Sequence, residues 1–337
     1  MCMTDPPTVL ACPVRPRVAV KRFAMARRWM DATPESYSTG SQPRILADHG
    51  SNRLDIDMIR HTRKILAKAA LASAAAMTCA AVGPSAVAVA EPAAPAPSGV
   101  RPTVVLVHGA FADASSWGGE VAALQQQGYD ARAIANPLQN LDTDTESVKD
   151  FLATLSGPIV LVGHSYGGSV ITNAAAGNPN VKALVYVDAA APDVGETTAA
   201  LSGADSVLAR PQGELFDPVP SPGAPDGAAE LYLKKDIFLQ HFGNDLPPDL
   251  AARAWASQRA ASTAALFAPS KSAAWKDIPS WYFISSGDQV ITPSSESAMA
   301  ERAHSQVTHF DGGSHLTLVS HPEAVTQVID SAIASVH

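Results

Sequence analysis

Short runs of apolar residues recur along most of the chain after residue 100. The clearest runs are 103–107, 158–162, 181–187 and 281–284, and each is rich in β-branched or aromatic residues. Continuous apolar runs of this length are typical of parallel strands that are covered on both faces. Two weaker runs, at 130–135 and 307–310, bring the expected number of strands to about six.

The stretches between these runs have helical spacing. Apolar residues recur every three to four positions in 115–127, 145–155, 166–176, 293–302 and 322–333. Strands that alternate with helices in this way predict an α/β fold with a doubly wound, mostly parallel sheet. We therefore expect one such domain over residues 101–337.

The alternation stops between residues 191 and about 276. Segments 231–242 and 250–266 have a helical composition, and prolines mark loops at Pro211, Pro218, Pro220, Pro222 and Pro225. We expect a helical insertion without strands that covers the sheet, and we call residues 191–276 the cap. The residues that either line a pocket beneath it or pack it onto the sheet are Phe238, His241, Phe242, Trp255 and Phe267.

The first hundred residues differ from the rest in composition. A basic segment from Met58 leads into an Ala-rich and Leu-rich run over 65–89, which ends in the small residues around Ala90. This order predicts a secretory signal peptide over 58–90, cleaved after Ala90, and Lys68 and Pro84 argue against a membrane span. Residues 91–100, rich in Ala and Pro, are expected to form a flexible tether.

Residues 1–57 lie upstream of that predicted signal. They contain Arg and Pro clusters without a sustained apolar period. We interpret them as a disordered extension or as the result of a wrongly assigned translation start. A basic arm that binds nucleic acid or membrane is the alternative.

The charge of residues 91–337 narrows the choice of partners. This part contains twelve Lys and Arg residues against 26 Asp and Glu residues, whereas the whole chain has a net charge of −8. An acidic surface argues against nucleic acid and against stable association with membranes. All three cysteines, Cys2, Cys12 and Cys79, precede residue 91, so the mature part is expected to have neither a disulfide nor a cysteine metal site.

The sequence Gly163-His-Ser165-Tyr-Gly167 follows the apolar run 158–162 directly and precedes a helical stretch. A G-x-S-x-G pattern between a strand and a helix is the nucleophile elbow, in which a sharp turn exposes a serine. Gly163, Gly167 and Gly168 are expected to supply the room that this turn needs. The candidate nucleophile is Ser165.

An acid and a histidine follow in the order that such a serine requires. Asp288 comes after the run 281–284, and His315 follows the last predicted strand. A neutral imidazole takes the serine proton, and a buried carboxylate orients that imidazole. Asp188, which follows the run 181–187, is the alternative acid. Asp311, His304, His309 and His321 are expected to have structural or surface roles.

The loop that begins at His108 supplies the second chemical feature. Backbone N–H groups of this loop and of the residue after the nucleophile form the oxyanion hole in folds of this kind. We assign these donors to Ala110 and Tyr166, and expect His108 to brace the loop. The sequence contains neither a metal-binding His-Glu-x-x-His pattern nor a phosphate-binding loop, so no cofactor and no metal are expected.

With these motifs in place, residues 103–337 resemble the α/β-hydrolase superfamily. Within it, the chain is most similar to small bacterial esterases related to the methyl-salicylate esterase and hydroxynitrile lyase branch. The resemblance implies a cofactor-free carboxylic ester hydrolase. Two residues depart from the lyases, which carry a lysine where Leu316 stands and a threonine where Gly109 stands. A serine at the elbow also differs from the aspartate of dehalogenases and epoxide hydrolases.

The expectation is therefore a secreted serine hydrolase that cleaves small to medium esters through an acyl-enzyme intermediate. Its partner would be a small-molecule ester, and the sequence leaves the oligomeric state open. The same triad would also serve a lactonase, a thioesterase or an amidase. A ligand-binding protein with a vestigial triad is the alternative outside enzymes.

Overall fold

Nine strands and ten α-helical segments occur in the computed structural model, which describes residues 100–220 and 228–336. The strands are β1 (Thr103–Val107), β2 (Asp130–Ile134), β3 (Ile159–His164), β4 (Val181–Val187), β5 (Phe216–Pro220), β6 (Ala229–Leu233), β7 (Ala261–Ser262), β8 (Ser280–Ser285) and β9 (Gln306–Phe310). The helices are α1 (Gly118–Gln126), α2 (Leu141–Ala153), α3 (Tyr166–Ala174), α4 (Gln212–Leu215), α5 (Lys235–Ile237), α6 (Pro248–Ala256), α7 (Thr263–Phe267), α8 (Pro293–Arg302), α9 (Thr317–Ser320) and α10 (Pro322–Ala334).

Six strands form one parallel sheet in the order β2-β1-β3-β4-β8-β9. The inner strands β3 and β8 are buried along their whole length, as their continuous apolar runs predict. Helix α1 packs against α10, and α2 packs against α3. The prediction of a doubly wound sheet of six strands is confirmed.

The helices of this sheet lie close to the predicted positions. Helix α2 is the exception, because it begins at Leu141 and not near residue 145. The side chain of Asn140 accepts a hydrogen bond from the Asp142 N–H at this end, which is a standard N-cap interaction. Asp142 and Asp144 then place acidic groups in the first turn, where the helix dipole favours them.

The cap contains short helices within the predicted helical segments, but it also contains a three-stranded antiparallel sheet in the order β5-β6-β7. The prediction that the cap lacks strands is therefore wrong, and so is the single helix predicted for 231–242. In β6, Leu231 and Leu233 are buried whereas Tyr232 is exposed, which is the two-residue period of a strand. Likewise, α6 ends at Ala256, before β7, so 250–266 does not form one helix.

Within the described ranges, no helix combines the length and the apolar character that a membrane crossing would require. The predictions for residues 1–57, for the signal peptide over 58–90 and for all but the last residue of the tether lie outside the described residues. They remain predictions.

Candidate active site

Ser165 lies at the turn between β3 and α3. Its backbone has φ 54° and ψ −124°, a strained conformation for a residue with a side chain. The turn leaves no room for neighbouring side chains: a Cβ on Gly163 would lie 2.7 Å from the Gly167 carbonyl oxygen. A Cβ on Gly167 would lie 2.4 Å from the Val107 carbonyl oxygen. The glycines of the motif are thus required by close backbone contacts.

The structure brings Ser165, His315 and Asp288 into one line of hydrogen bonds. The Ser165 Oγ lies 2.7 Å from Nε2 of His315, and the Nδ1 of this histidine lies 2.6 Å from Oδ2 of Asp288. The other carboxylate oxygen of Asp288 accepts hydrogen bonds from the N–H groups of Val290 at 2.7 Å and Ile291 at 3.2 Å. Both oxygens of the acid are therefore held in place.

The parallel sheet explains why residues so far apart in sequence meet. Ser165 follows β3, Asp288 follows β8 and His315 follows β9, so all three lie at the same edge of the sheet. Neighbouring loops are then joined through their backbones. The Gly287 N–H donates to the Gly312 carbonyl at 3.0 Å, in the loops that carry the acid and the histidine. These bonds fix the separation of the two side chains.

The environment of His315 keeps its imidazole neutral. The residue is fully buried, and burial lowers its pKa to about 3. With Nδ1–H donated to Asp288, the lone pair of Nε2 faces the Ser165 hydroxyl. Burial raises the pKa of the Asp288 carboxyl, and the N–H groups of Val290 and Ile291 lower it. The site thus combines a hydroxyl with a base that can take its proton.

The loop after β1 lies directly against the nucleophile. A Cβ on Gly109 would lie 2.5 Å from the Cβ of Ser165, so only glycine fits there. His108 donates from Nδ1 to the Gly109 carbonyl at 2.9 Å, and its Nε2 accepts from the Asn136 N–H at 2.9 Å. This is the bracing contact expected of His108.

The two candidate oxyanion donors flank the nucleophile. Ala110 follows Gly109 in the loop that touches Ser165, and Tyr166 is the first residue of α3. Among the hydrogen bonds of residues 100–220 and 228–336 outside regular helices and strands, none uses the N–H group of either residue. Their role as oxyanion donors remains a prediction.

His164 is a residue of the site that sequence analysis did not single out. Its Nε2–H donates to the His315 carbonyl oxygen at 2.8 Å, and the two rings lie 4.8 Å apart. Burial lowers the pKa of His164 well below its usual value, so its ring is neutral. Its position directly before Ser165 in the elbow motif could have indicated that it lies at the site. The contact holds the backbone of the catalytic histidine candidate.

The alternative site residues have other places. Asp188 does not contact His315; its carboxyl bonds to the N–H and the hydroxyl of Ser285 at 2.8 and 2.9 Å. Asp311, His304 and His309 are exposed, and His321 stacks near Phe310 with the rings 4.9 Å apart. None of them belongs to the line of hydrogen bonds at Ser165.

Aromatic side chains of the cap lie over the site. The Phe242 ring approaches His315 edge-on at 4.9 Å, and it also contacts Phe238 at 4.9 Å. Phe111, from the loop after β1, stacks on Phe216 of β5 at 5.6 Å. The site is enclosed, because Ser165 is only 6% exposed.

Polar side chains tie the cap to the loops that carry the acid and the histidine. His241 bonds to the Gln289 side chain, next to Asp288, at 2.6 Å. The hydroxyls of Ser314 and Ser320, on either side of His315, donate to Asp245. Trp255 instead donates to the Leu233 carbonyl within the cap at 3.0 Å, and Phe267 packs against the core. Of the candidate lining residues, Phe238 and Phe242 thus lie nearest the site.

One group of carboxyls in the described residues has a spacing that a metal ion could use. Oxygens of Asp188, Asp288 and Glu296 lie within 4.8 Å of one another, and all three residues are buried. Asp288 already accepts from the imidazole, however, and Asp188 bonds to Ser285. Asp288 and Asp188 thus already have protein partners, and the three carboxyls lie in the protein interior next to the site.

Comparisons with known proteins show the family of the chain. A model of the alpha/beta hydrolase family matches residues 104–328. The probable hydrolase R7 of Phoma sp. (strain ATCC 20986 / MF5453) is 28% identical over 254 residues, which is 68% of this chain and 97% of that protein. A carbendazim hydrolyzing esterase of Nocardioides sp. (strain SG-4G) is 32% identical over 114 residues, which is 29% of this chain and 46% of that protein.

A solved structure shows the same fold. It is an extracellular alpha/beta-hydrolase from a Paenibacillus species, which shares homology with tobacco salicylic acid binding protein 2. The TM-score is 0.57 at 22% identity, over 68% of this chain and 98% of that chain. The resemblance inferred from the motifs is thereby confirmed, and the chain belongs to the alpha/beta hydrolase family.

Proposed function

We propose that the protein is a serine hydrolase that cleaves carboxylic esters through an acyl-enzyme intermediate. The observation that carries this proposal is the unbroken line from the Ser165 hydroxyl through His315 to Asp288, with distances of 2.7 and 2.6 Å. A serine hydroxyl is a poor nucleophile until a neutral base stands within hydrogen-bond reach. The relatives described as hydrolases or esterases support the same class of reaction.

The reaction follows from the placement of the groups. The Ser165 oxygen attacks the ester carbonyl while His315 takes its proton, and Asp288 stabilises the imidazolium that forms. The N–H groups of Ala110 and Tyr166 bind the negative oxygen of the tetrahedral intermediate. His315 then protonates the leaving alcohol, and water releases the acid in a second round of the same steps.

The cap favours a substrate of small to medium size with an apolar part. The rings of Phe111, Phe216 and Phe242 form a connected aromatic group that reaches His315 through Phe242. Apolar side chains beside a reacting group favour the apolar part of a substrate by the area that binding buries. Leu316, adjacent to His315, is apolar and buried, so this position offers no cation for cyanohydrin chemistry. Our proposal for the partner is therefore a small-molecule ester, without nucleic acid and without membrane insertion.

We also infer that the protein is secreted. The support is the composition of residues 58–90, with a basic start, an apolar run and small residues at Ala88 and Ala90. The excess of acidic residues after residue 91 is compatible with a soluble product. Secretion is tested by the N-terminal sequence of protein recovered from the culture medium, which should begin at Glu91. A protein found only inside the cells with an intact leader would contradict it.

The test of the proposed function is hydrolysis of p-nitrophenyl esters from acetate to palmitate by the wild-type protein and Ser165→Ala. We expect turnover that peaks at short chains and is lost in the variant, together with loss of labelling by a fluorophosphonate probe. Ser331→Ala is the control, because this hydroxyl bonds only within α10. Wild-type turnover in Ser165→Ala would contradict the nucleophile assignment.

The other outcomes distinguish related functions. A peak at long chains would indicate a lipase-like enzyme with a mobile cap. A folded protein that labels with the probe but cleaves no ester would point to a lactonase, thioesterase or amidase. A protein that neither labels nor turns over would be a ligand-binding member of the family.

A further inference from the structure

Three buried carboxyls meet behind the candidate active site. Asp188 and Asp288 follow the neighbouring strands β4 and β8, and Glu296 lies on α8. Their relative exposures are 0%, 4% and 0%, and one oxygen of each lies within 4.8 Å of the others. No Lys or Arg side chain of the described residues hydrogen-bonds to any of them. Like charges this close in the interior cannot all persist, so the cluster must hold protons.

The contacts of Asp188 form part of a series of hydroxyl groups. Oδ2 of Asp188 is 2.9 Å from the Ser285 hydroxyl, which is 2.8 Å from the Thr317 hydroxyl. The Thr317 hydroxyl is in turn 2.6 Å from the Ser314 carbonyl oxygen. These are three hydrogen bonds in series, but the two hydroxyls have only one hydrogen each.

The direction of the series is fixed at its end. A carbonyl oxygen only accepts, so Thr317 must donate to Ser314. Ser285 must then donate to Thr317, and no hydroxyl hydrogen is left for the bond between Ser285 and Asp188. For all three contacts to be hydrogen bonds, that hydrogen comes from the Asp188 carboxyl. The other oxygen of Asp188 accepts from the Ser285 N–H at 2.8 Å.

We propose that Asp188 is a neutral carboxylic acid and a positioning residue, which donates the first hydrogen bond of a chain through Ser285 and Thr317. This chain joins the segment that leads to Asp288 with the turn that follows His315. The proposal relies on the roles proposed for Asp288 and His315, but the protonation of Asp188 can be measured without any turnover.

The surroundings of Asp188 favour the neutral form. Burial and then the neighbouring Asp288 raise its pKa well above the usual value, against the opposing effect of the Ser285 hydrogen bonds, and Asp245 raises it further. Glu296 and the Tyr282 hydroxyl are the other titratable groups that interact with it. The nearby cation Arg302 is instead held by Glu196 and the Ala191 carbonyl.

The two partners of Asp188 in the cluster differ in their donors. Oδ1 of Asp288 accepts the N–H groups of Val290 and Ile291, which favour its ionised form against the effect of burial, and Oδ2 faces Nδ1 of His315. Neither oxygen of Glu296 has a hydrogen bond of good geometry, and burial, Asp188 and Asp288 raise its pKa. In our proposal, the negative charge of the cluster belongs to Asp288, and the protons belong to Asp188 and Glu296.

The experiment compares Asp188→Asn with Asp188→Ala. Asparagine keeps an acceptor for the Ser285 N–H and a donor for its hydroxyl, so we expect kcat within about threefold of wild type and an unchanged pH profile. Alanine removes the donor, and we expect kcat to fall about tenfold or more with a smaller change in KM. The matched control is Glu296→Gln, which also replaces a buried neutral acid by an amide and should retain activity.

The protonation itself is measured on the protein labelled with aspartate enriched in 13C at the side-chain carboxyl. At pH 7, we expect one aspartate signal at the position of a protonated acid, absent in Asp188→Asn. The wild-type spectrum tests the protonation of Asp188 even if Asp188→Asn fails to fold. In that case, the shift of the signal in Ser285→Ala assigns it to Asp188. The proposal is overturned if every aspartate is ionised at pH 7, if a stoichiometric metal ion is bound, or if folded Asp188→Asn loses more than about a hundredfold in kcat.

Loss of this proposal would leave the proposed function intact, and the reverse also holds. Ser165→Ala tests the nucleophile by turnover and labelling, whereas the carboxyl signal reports only the protonation of Asp188. A vestigial active site with a protonated Asp188 and an active enzyme with an ionised Asp188 are therefore distinguishable results.

Discussion

The carboxyl edge of the six-stranded sheet and the cap both contact His315, but they hold their side chains in different ways. At the sheet edge, parallel strands set the positions of the loops, and backbone hydrogen bonds such as Gly287 to Gly312 join them. In the cap, Phe238 and Phe242 lie on a single π-helical turn and contact their neighbours through ring surfaces. The edge is held by directional bonds, whereas the cap meets the His315 ring through apolar contact and reaches the neighbouring loops through His241 and Asp245.

This difference separates two functions. Proton transfer requires heavy atoms held within hydrogen-bond distance, which the sheet edge provides. Apolar contact tolerates displacement and contributes in proportion to buried area, which suits the recognition of a substrate. Substitutions at the edge should therefore change kcat, and substitutions in the cap should mainly change KM.

The largest effect is expected for Asp288→Asn. The amide donates where the carboxylate accepted, so the imidazole is held in the wrong tautomer, and kcat should fall by about 10⁴-fold. Ester turnover of the folded variant measures this, with the exposed Asp311→Asn as the control. A loss of less than about tenfold would show that the edge does not set the rate in this way.

A smaller effect is expected for His164→Phe. The ring packing near Trp117 and His315 is kept, but the hydrogen bond to the His315 carbonyl is lost. A small displacement of the base should lower kcat by about 10²-fold with little change in KM. The exposed His309→Phe serves as the control. If KM rose and kcat stayed the same, the proposed division between edge and cap would fail at this residue.

The corresponding change in the cap is Phe242→Ala. Loss of an aromatic contact of about 1 kcal/mol should raise KM between about threefold and tenfold, with kcat changed less. Phe242→Leu should recover most of the affinity, and the exposed cap variant Tyr232→Ala should behave as wild type. A dominant loss of kcat in Phe242→Ala would mean that the cap also positions the catalytic groups.

The last prediction concerns the pH at which activity falls in acidic solution, and it leaves the rate at neutral pH almost unchanged. The base works when it is neutral, and burial lowers the pKa of His315 to about 3. Activity should therefore persist as the pH falls through 6.5 and decline only in more acidic solution. In Phe242→Ala, water should reach the His315 ring, so activity should begin to fall at a higher pH than in the wild type. A wild-type limb near 6.5, with folding monitored in parallel, would contradict the burial of this base.

The sequence predicted the sheet and the line of site residues well, for a local reason. Strands β1, β3, β4 and β8 are buried almost throughout, with Lys182 of β4 as the exposed exception, so their apolar runs are visible without knowledge of their partners. Ser165 and Asp288 could be proposed because each follows such a run, and His315 because it follows the weaker run at 307–310. The rule that parallel strands end at one edge of a sheet was then enough to bring them together.

The cap shows where this reasoning fails. Segment 229–233 has the composition of a helix, but it pairs with β5 and β7, from which it is separated in sequence. Pairing between distant segments depends on their partners and is weakly encoded in the segment itself. Pro218 and Pro220 predicted a loop, yet both lie in β5, which has a partner on one side only.

By itself, the sequence determined which segments are strands in the sheet, the order of nucleophile, acid and histidine, and the glycines of the elbow. Those features depend on residues that are neighbours along the chain. Only the tertiary structure decided between Asp288 and Asp188, revealed the bond from His164 to His315 and placed three carboxyls together. All three findings depend on contacts between residues that are far apart in sequence but lie at neighbouring strand ends. Burial and hydrogen-bond partners, and not residue type alone, set the protonation of a buried acid.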